Sequence, residues 1–204
     1  MGCLRRIAPV VAGFAVLAPG VAAASPAAQA GLVDVRTVVP DAIVDLRYAT
    51  ADNFVGRPLY PAGAPCLVHE SLAAGLATAA AHLRPDVLVF WDCYRPHDVQ
   101  VEMFAAVPDP AWVARPGAFA RSHTAGRSVD VTIAGADMGT GFDDFSPRSH
   151  AYATDGVSAA AQANRARLRE AMEAGGLTVY EGEWWHFDGP GAGEGRPILE
   201  VPLS

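Results

Sequence analysis

The sequence predicts an α+β fold, an antiparallel sheet with helices packed on it. Three observations point there. Runs of β-branched and apolar residues are short and do not alternate regularly with helical segments, as they would in a parallel α/β sheet. Residues 157–174 form a long helical stretch with its own start and stop signals. The chain has 204 residues, enough for one domain with a real core and too few for two comfortable ones.

Taken in order, residues 33–38 and 42–48 read as two short strands broken at Pro40. Residues 52–65 are rich in Gly, Pro and Asn and read as an ordered loop. The Leu and Ala spacing of residues 70–83 predicts a helix stopped by Pro85. Residues 87–92 are an apolar run of central-strand type, residues 98–105 a second helix, and residues 108–117 a loop. Residues 129–133 form a strand carrying Asp130. The helix at 157–174 takes Ser158 as N-cap and Gly175-Gly176 as its end. Residues 177–180 and 184–187 complete the sheet, and the tail at 189–197 is turn-rich.

The first thirty residues stand apart. Arg5 and Arg6 precede an apolar run over 7–18, and small residues follow to Ala30. This is the layout of a secretory signal peptide, with cleavage expected after Ala24 or Ala30 and a mature domain over 31–204. The apolar run is too short for a membrane span, which needs about 20 residues. No stable membrane insertion is therefore expected after cleavage, and the mature protein is expected outside the cytoplasm, in the periplasm or beyond. Removing the two leader arginines takes the formal charge from −7 to −9. Every basic side chain is arginine or histidine, and the arginines are scattered, so a nucleic-acid partner is not expected. The sequence leaves the oligomeric state open. Cys66 and Cys93 remain once Cys3 is gone. In an oxidising compartment such a pair suits one disulfide, and two separate buried thiols are the alternative.

Chemistry concentrates in two segments, Ser122-His123-Thr124-Ala125-Gly126-Arg127-Ser128-Val129-Asp130 and Glu183-Trp184-Trp185-His186. Together they offer two imidazoles and a carboxylate, the donor set of a catalytic zinc centre with one position open. Glu183 adds a carboxylate able to move protons. Gly126 lets the chain turn, so that loop-borne His123 and strand-borne Asp130 can face one point. Each residue also has an ordinary reading: hydrogen-bonded groups at His123 and Asp130, a core histidine at His186, a surface carboxylate at Glu183. Other motifs lead nowhere. His69-Glu70 begins like H-E-x-x-H, but Ala73 stands where the second histidine belongs. Ser122 lies in no G-x-S-x-G elbow. His82 and His97 read as surface residues.

The two segments resemble those of the zinc D-alanyl-D-alanine dipeptidases of the VanX type. The likeness extends to residues 45–54, to Trp91-Asp92-Cys93-Tyr94-Arg95-Pro96, to Met138-Gly139-Thr140-Gly141-Phe142-Asp143 and to Arg148-Ser149-His150. It implies one zinc ion per chain on His123, Asp130 and His186, with Glu183 as catalytic base. It further implies that Arg95 polarises the substrate carbonyl or holds the oxyanion, that Asp143 faces the amino group of a D-Ala-D-Ala dipeptide, and that Tyr48 and Ser122 lie near the substrate. Two positions depart from the family pattern. Arg121 stands two residues before the first histidine, where the family usually has serine, and Ser128 replaces a usual alanine. Two alternatives stay open: a D,D- or L,D-carboxypeptidase of the same superfamily acting on peptidoglycan stems, and a non-catalytic zinc-stabilised module that binds cell-wall peptides.

Overall fold

The sheet order scrambles the chain order, and this builds the site. The strands of the computed structural model are β1 (Leu32–Asp34), β2 (Ile43–Val44), β3 (Leu67–His69), β4 (Leu88–Asp92), β5 (Ser128–Ile133), β6 (Thr178–Val179) and β7 (His186–Asp188). The helices are α1 (Pro26–Gln29), α2 (Ala73–Leu83), α3 (His97–Ala106) and α4 (Ala159–Ala174). The structure describes Gly2 and residues 24–204, so the expected leader lies outside the described residues except for Gly2 and its last seven residues. Among the described residues no helix is long and apolar enough to cross a membrane.

The main sheet runs β2-β4-β5-β7-β6, and β1 pairs with β3 in a separate two-stranded ladder. All neighbours in the main sheet are antiparallel except β2 and β4, which run parallel. The α+β class holds, but the sheet is mixed. The parallel pair arises because the chain inserts β3 and α2 between β2 and β4 and returns in the same direction.

Several elements are shorter than the sequence suggests. The run at 33–38 gives up its strand after Asp34, whose side chain accepts from the Arg36 N–H at 2.8 Å and turns Val35–Thr37 into a 3₁₀ helix. Residues 42–48 keep only two strand residues before a 3₁₀ turn at Arg47–Ala49. The helix expected from residue 70 opens as a 3₁₀ turn, Glu70–Leu72, before α2 begins. The short strand β3 was not anticipated, because a three-residue run leaves almost no periodic signal. Trp184 and Trp185 precede β7 and do not belong to it.

Every residue of β4 and β5 is buried, so both faces of the sheet centre are covered. Alternation along β5 sends Val129, Val131 and Ile133 to one face and Ser128, Asp130 and Thr132 to the other. Helices α2 and α4 pack on each other, and α4 packs on β5 and β6. The two helices meet where a Cβ on Gly75 would lie 2.3 Å from the Gly175 carbonyl oxygen, so only glycine admits the approach. The Ser158 hydroxyl caps α4 by accepting from the Ala161 N–H at 3.1 Å.

One buried arginine ties this helix to the far side of the site. Arg165 of α4 is 2% exposed. Its Nε donates to the Met138 carbonyl at 2.7 Å, and its Nη1 to those of Arg148 and His150 at 2.9 and 3.2 Å. The guanidinium thus clips both ends of the loop that carries Asp143. Replacing Arg165 with alanine leaves the Met138 and Arg148 carbonyls without a donor, at about 1–3 kcal/mol for each buried group, while the His150 carbonyl keeps the Ala153 N–H. We expect Arg165→Ala to lower unfolding free energy by about 3 kcal/mol or more in urea titrations; a loss below about 1 kcal/mol would contradict the clip.

Candidate active site

The site is assembled by strand register. Asp130 of β5 stands opposite His186 of β7, and Asp92 of β4 stands opposite Asp130. In β4 the ladder shifts between Phe90 and Asp92. Strict alternation would send Asp92 to the same face as Phe90. The bulge at Trp91 turns it toward Asp130 instead. His123 comes from a 3₁₀ turn, Ser122–Ala125, that ends at Gly126 with φ 65°. A side chain at Gly126 would meet Leu32 at 2.6 Å, so the left-handed turn into β5 requires glycine.

Three donor atoms converge. His123 Nε2 lies 3.2 Å from Asp130 Oδ1 and 3.0 Å from His186 Nδ1, and His186 Nδ1 lies 3.0 Å from Asp130 Oδ1. The outward nitrogens fix the tautomers. His123 Nδ1 sits 2.8 Å from the Cys93 carbonyl, and His186 Nε2 sits 3.1 Å from Asp188 Oδ1. Both partners are acceptors, so both outward nitrogens carry the proton. In neutral rings the inward nitrogens are then lone pairs, facing each other and a carboxylate. Three acceptors aimed at one point call for a cation. The donor set and its outer hydrogen bonds match what a divalent metal requires. The electrostatics show the same demand for positive charge at this point, which a proton on His186 meets when no metal does. Burial opposes a charge on His186, yet Asp130 and Asp188 push its pKa up to about 10. Burial likewise opposes a charge on Asp130, but His123 and His186 hold its carboxyl far below the usual range.

Glu183 reaches this cluster because the chain turns between it and β7: the Glu183 N–H donates to the Tyr180 carbonyl at 3.2 Å, and the His186 N–H donates to that of Glu183 at 3.3 Å. Its Oε2 lies 4.0 Å from His186 Nδ1. Burial, with help from Asp130 and against His186 and His123, raises its pKa to about 7. A carboxylate near neutrality is the pKa a general base needs.

Opposite stands Asp143, in the left-handed region at φ 55°. The Tyr48 hydroxyl donates to its Oδ2 at 3.0 Å. Burial and the charges of Asp130 and Glu183 raise the Asp143 pKa well above its ordinary value. Arg95, Tyr48, Ser122, Asp143, Glu183 and the three donor residues all line one cleft of about 400 Å³. That volume suits a small molecule rather than a long polymer. Ser122 Oγ lies 3.4 Å from His186 Nε2, and Ser122 itself has a positive φ of 47°. Arg121 also lines the cleft, and so does His97, which the sequence had suggested was an ordinary surface residue.

Several supporting groups were not singled out from the sequence. Asp92 is fully buried and accepts from Arg95 Nε and Nη2 at 3.0 and 2.7 Å, from the Tyr60 hydroxyl at 2.7 Å and from the Cys93 N–H at 2.9 Å. Its only sequence signal is its position three residues before Arg95. Asp188 was more legible, since strand period puts it on the same face as His186. Gln100 accepts from Arg95 Nη1 at 2.7 Å, which nothing in the sequence announces. Cys66 and Cys93 form a disulfide with Cα atoms 5.3 Å apart. The bridge closes a loop with a sequence separation of 27, for which chain-entropy arguments give roughly 3–4 kcal/mol. It anchors the backbone that supplies the His123 acceptor.

Fold and site together define a cleft sized for a small substrate, with three residues placed so that they could hold a metal ion. A family model described as D-ala-D-ala dipeptidase matches residues 28–204, and the chain belongs to that family of metallopeptidases. The chain is 39% identical over 180 residues to a D-alanyl-D-alanine dipeptidase of Escherichia coli, covering 85% of this chain and 91% of that protein. It is 32% identical over 170 residues to one of Enterococcus faecium, and 33% identical over 178 residues to one of Streptomyces coelicolor; each match covers 70% of this chain and 83% of the relative.

The Asp92–Arg95 pair carries a stability prediction independent of any activity. The Arg95 side chain is 11% exposed and that of Asp92 is 0%. Removing one partner of such a buried pair strands the other charge, at about 3–5 kcal/mol. Asp92→Ala is expected to lose that much in chemical denaturation, far more than Glu102→Ala, which breaks a solvent-exposed ion pair with Arg57 and should cost about 0–1 kcal/mol.

Proposed function

We propose that this protein is an exported zinc dipeptidase that hydrolyses free D-Ala-D-Ala, with Glu183 as general base. The observation that carries the reading is the cleft in which three converging acceptors, a near-neutral glutamate and a buried arginine surround space for a small peptide. Family membership supports the substrate class, and the relatives' names agree with it. The basic and apolar leader pattern and the disulfide support export.

His123 Nε2, Asp130 Oδ1 and His186 Nδ1 would hold the ion. Zinc, when bound, supplies Lewis acidity and makes water nucleophilic near neutral pH. Glu183 takes a proton from the attacking water and hands it to the departing amine. Arg95 stays protonated throughout and offers its free N–H groups to the carbonyl oxygen as negative charge builds there. Asp143, with Tyr48 beside it, receives the substrate's ammonium. That pairing also offsets the cost of burying the carboxylate among Asp130 and Glu183. A stem peptide presents a neutral amide at the same place and leaves Asp143 unpaired, so the reading favours the free dipeptide over a carboxypeptidase substrate. Ser122 lies beside His186 and lines the same cleft.

Three outcomes follow for purified protein reconstituted with zinc. Metal analysis is expected to find one zinc per chain, lost in His123→Ala and in His186→Ala; full zinc in either variant would remove the ligand set. Glu183→Gln is expected to keep its zinc while kcat on D-Ala-D-Ala falls about 10²–10⁴-fold. Retention of more than roughly a third of wild-type kcat would place the base elsewhere. The deciding experiment compares free D-Ala-D-Ala with a stem pentapeptide. Without the ammonium Asp143 loses its charge partner, and losing one partner of a buried charge pair costs about 2–5 kcal/mol, so kcat/KM should favour the dipeptide by about thirtyfold or more, and Asp143→Asn should erase that preference. Equal kcat/KM on both substrates would instead make the protein a carboxypeptidase.

A further inference from the structure

Arg95 does not hold its own position. Its Nε–H and one Nη2–H go to Asp92, and one Nη1–H goes to Gln100 Oε1 at 2.7 Å. One N–H on each terminal nitrogen is left for an occupant of the cleft. Asp92 fixes one edge of the guanidinium, and a single edge still permits rocking about it. Gln100 takes the second edge.

The other end of the Gln100 amide is also committed. Its Nε2 donates to the Ala114 carbonyl at 2.7 Å. Ala114 lies in the segment 107–121 between α3 and the turn bearing His123, and that segment supplies much of the cleft wall. The same segment is pinned elsewhere by Trp112, which stacks on Phe145 with centroids 5.5 Å apart. Phe145 is two residues beyond Asp143. Gln100 is 5% exposed, so neither of its bonds is readily replaced by solvent. The amide's orientation is dictated twice: a cation demands its oxygen and a carbonyl demands its nitrogen. No other neutral side chain of that length does both.

We infer that Gln100 is a positioning residue for the reaction: it fixes the guanidinium of Arg95 and couples it to the 107–121 segment that walls the cleft. This rests on the reading of Arg95 as the group that receives charge from the substrate carbonyl. Gln100 borders the cleft, but its amide oxygen is engaged by Arg95 and its amide nitrogen by Ala114, so it acts through Arg95 on one side and through the cleft wall on the other. The two contacts have separable consequences. Loss of the Arg95 contact lowers kcat, because a misaligned donor fails in the transition state. Loss of the Ala114 contact loosens the wall and raises KM.

A double-mutant cycle on the zinc-loaded enzyme, with D-Ala-D-Ala as substrate, tests this. Wild type, Gln100→Leu, Arg95→Ala and the double variant are compared for kcat, KM, zinc content and thermal midpoint. Gln100→Leu is expected to lower kcat about 10–100-fold and raise KM several-fold with zinc retained. In the Arg95→Ala background the same change is expected to alter kcat less than about twofold, because its effect runs through the missing guanidinium. Gln100→Glu keeps an oxygen for Arg95 but sets a carboxylate against the Ala114 carbonyl. It is expected to return kcat to within about threefold of wild type while KM stays raised. Should Gln100→Leu fail to fold, Gln100→Met, which preserves chain length, takes its place in the cycle. The inference is overturned if Arg95→Ala is slow but Gln100→Leu is not, if the Gln100→Leu loss persists in full without Arg95, or if Gln100→Glu is as slow as Gln100→Leu. Wild-type kcat in Arg95→Ala would instead overturn the reading of Arg95 itself, and the inference with it.

Discussion

A row of three side chains across adjacent strands, Asp92 on β4, Asp130 on β5 and His186 on β7, is the constraint on which the rest of the structure depends. Opposed residues of antiparallel strands share a face, so register alone brings Asp130 and His186 within 3.0 Å. A slip of one residue in β7 would send His186 to the helix side and Phe187 into the cleft. The sheet resists that slip through burial. Phe187 is 0% exposed on the opposite face, where Val129 and Val131 also lie. The hydrophobic side of β7 thereby holds the polar side in place.

The row also concentrates negative charge, and the surroundings are arranged to manage it. Asp92, Asp130, Asp143, Glu183 and Asp188 all lie in or beside one cleft, a density of carboxylates that cannot stay ionised in isolation. Each has a different compensation. Asp92 has Arg95. Asp188 has the His186 ring and the Ser128 hydroxyl, which hold its carboxyl below its usual range against burial. This gives Ser128 a use that alanine would not supply. Asp130 has both imidazoles. Asp143 and Glu183 have the weakest compensation within the chain, and both are raised. On the function proposed above, they are the two carboxylates left to meet a substrate.

This distribution explains what was legible in the sequence. The donor residues sit on or beside strands, and the i, i+7 spacing of His123 and Asp130 with an intervening glycine reflects a real turn. Helix α4 was legible from its serine cap and glycine stop. The supporting residues were not, since their meaning depends on contacts distant in sequence. Gln100 is an unremarkable residue on a helix until Ala114 folds back over it. Asp92 reads as the end of a strand, and only the bulge at Trp91 brings it to the site face. Bulges and 3₁₀ turns break the period-2 pattern without leaving a distinctive composition. The strands at 33–38 and 42–48 were overextended for this reason, and the parallel β2–β4 pair was missed. Arg165 reads as one more exposed arginine of α4, because periodicity says nothing of three carbonyls converging from another segment.

The division between sheet and loops has a chemical logic. The three acceptors are held by strand pairing and a glycine-terminated turn, the stiffest parts of the fold. Groups that would meet the amino end and the carbonyl of a peptide on the proposed reading come from irregular segments: Tyr48 from a 3₁₀ turn, Asp143 from the loop clipped by Arg165, Arg95 from the stretch that follows β4. Each of these is fastened by a few specific side-chain bonds and could be re-aimed by one substitution without disturbing the sheet. Arg121 fits that pattern. It precedes the His123 turn and lines the cleft. A change there adds a cation at the rim while His123 keeps its acceptor at Cys93. Precise placement of the reacting centre and tolerance at the periphery therefore follow from which residues the sheet holds and which the loops hold.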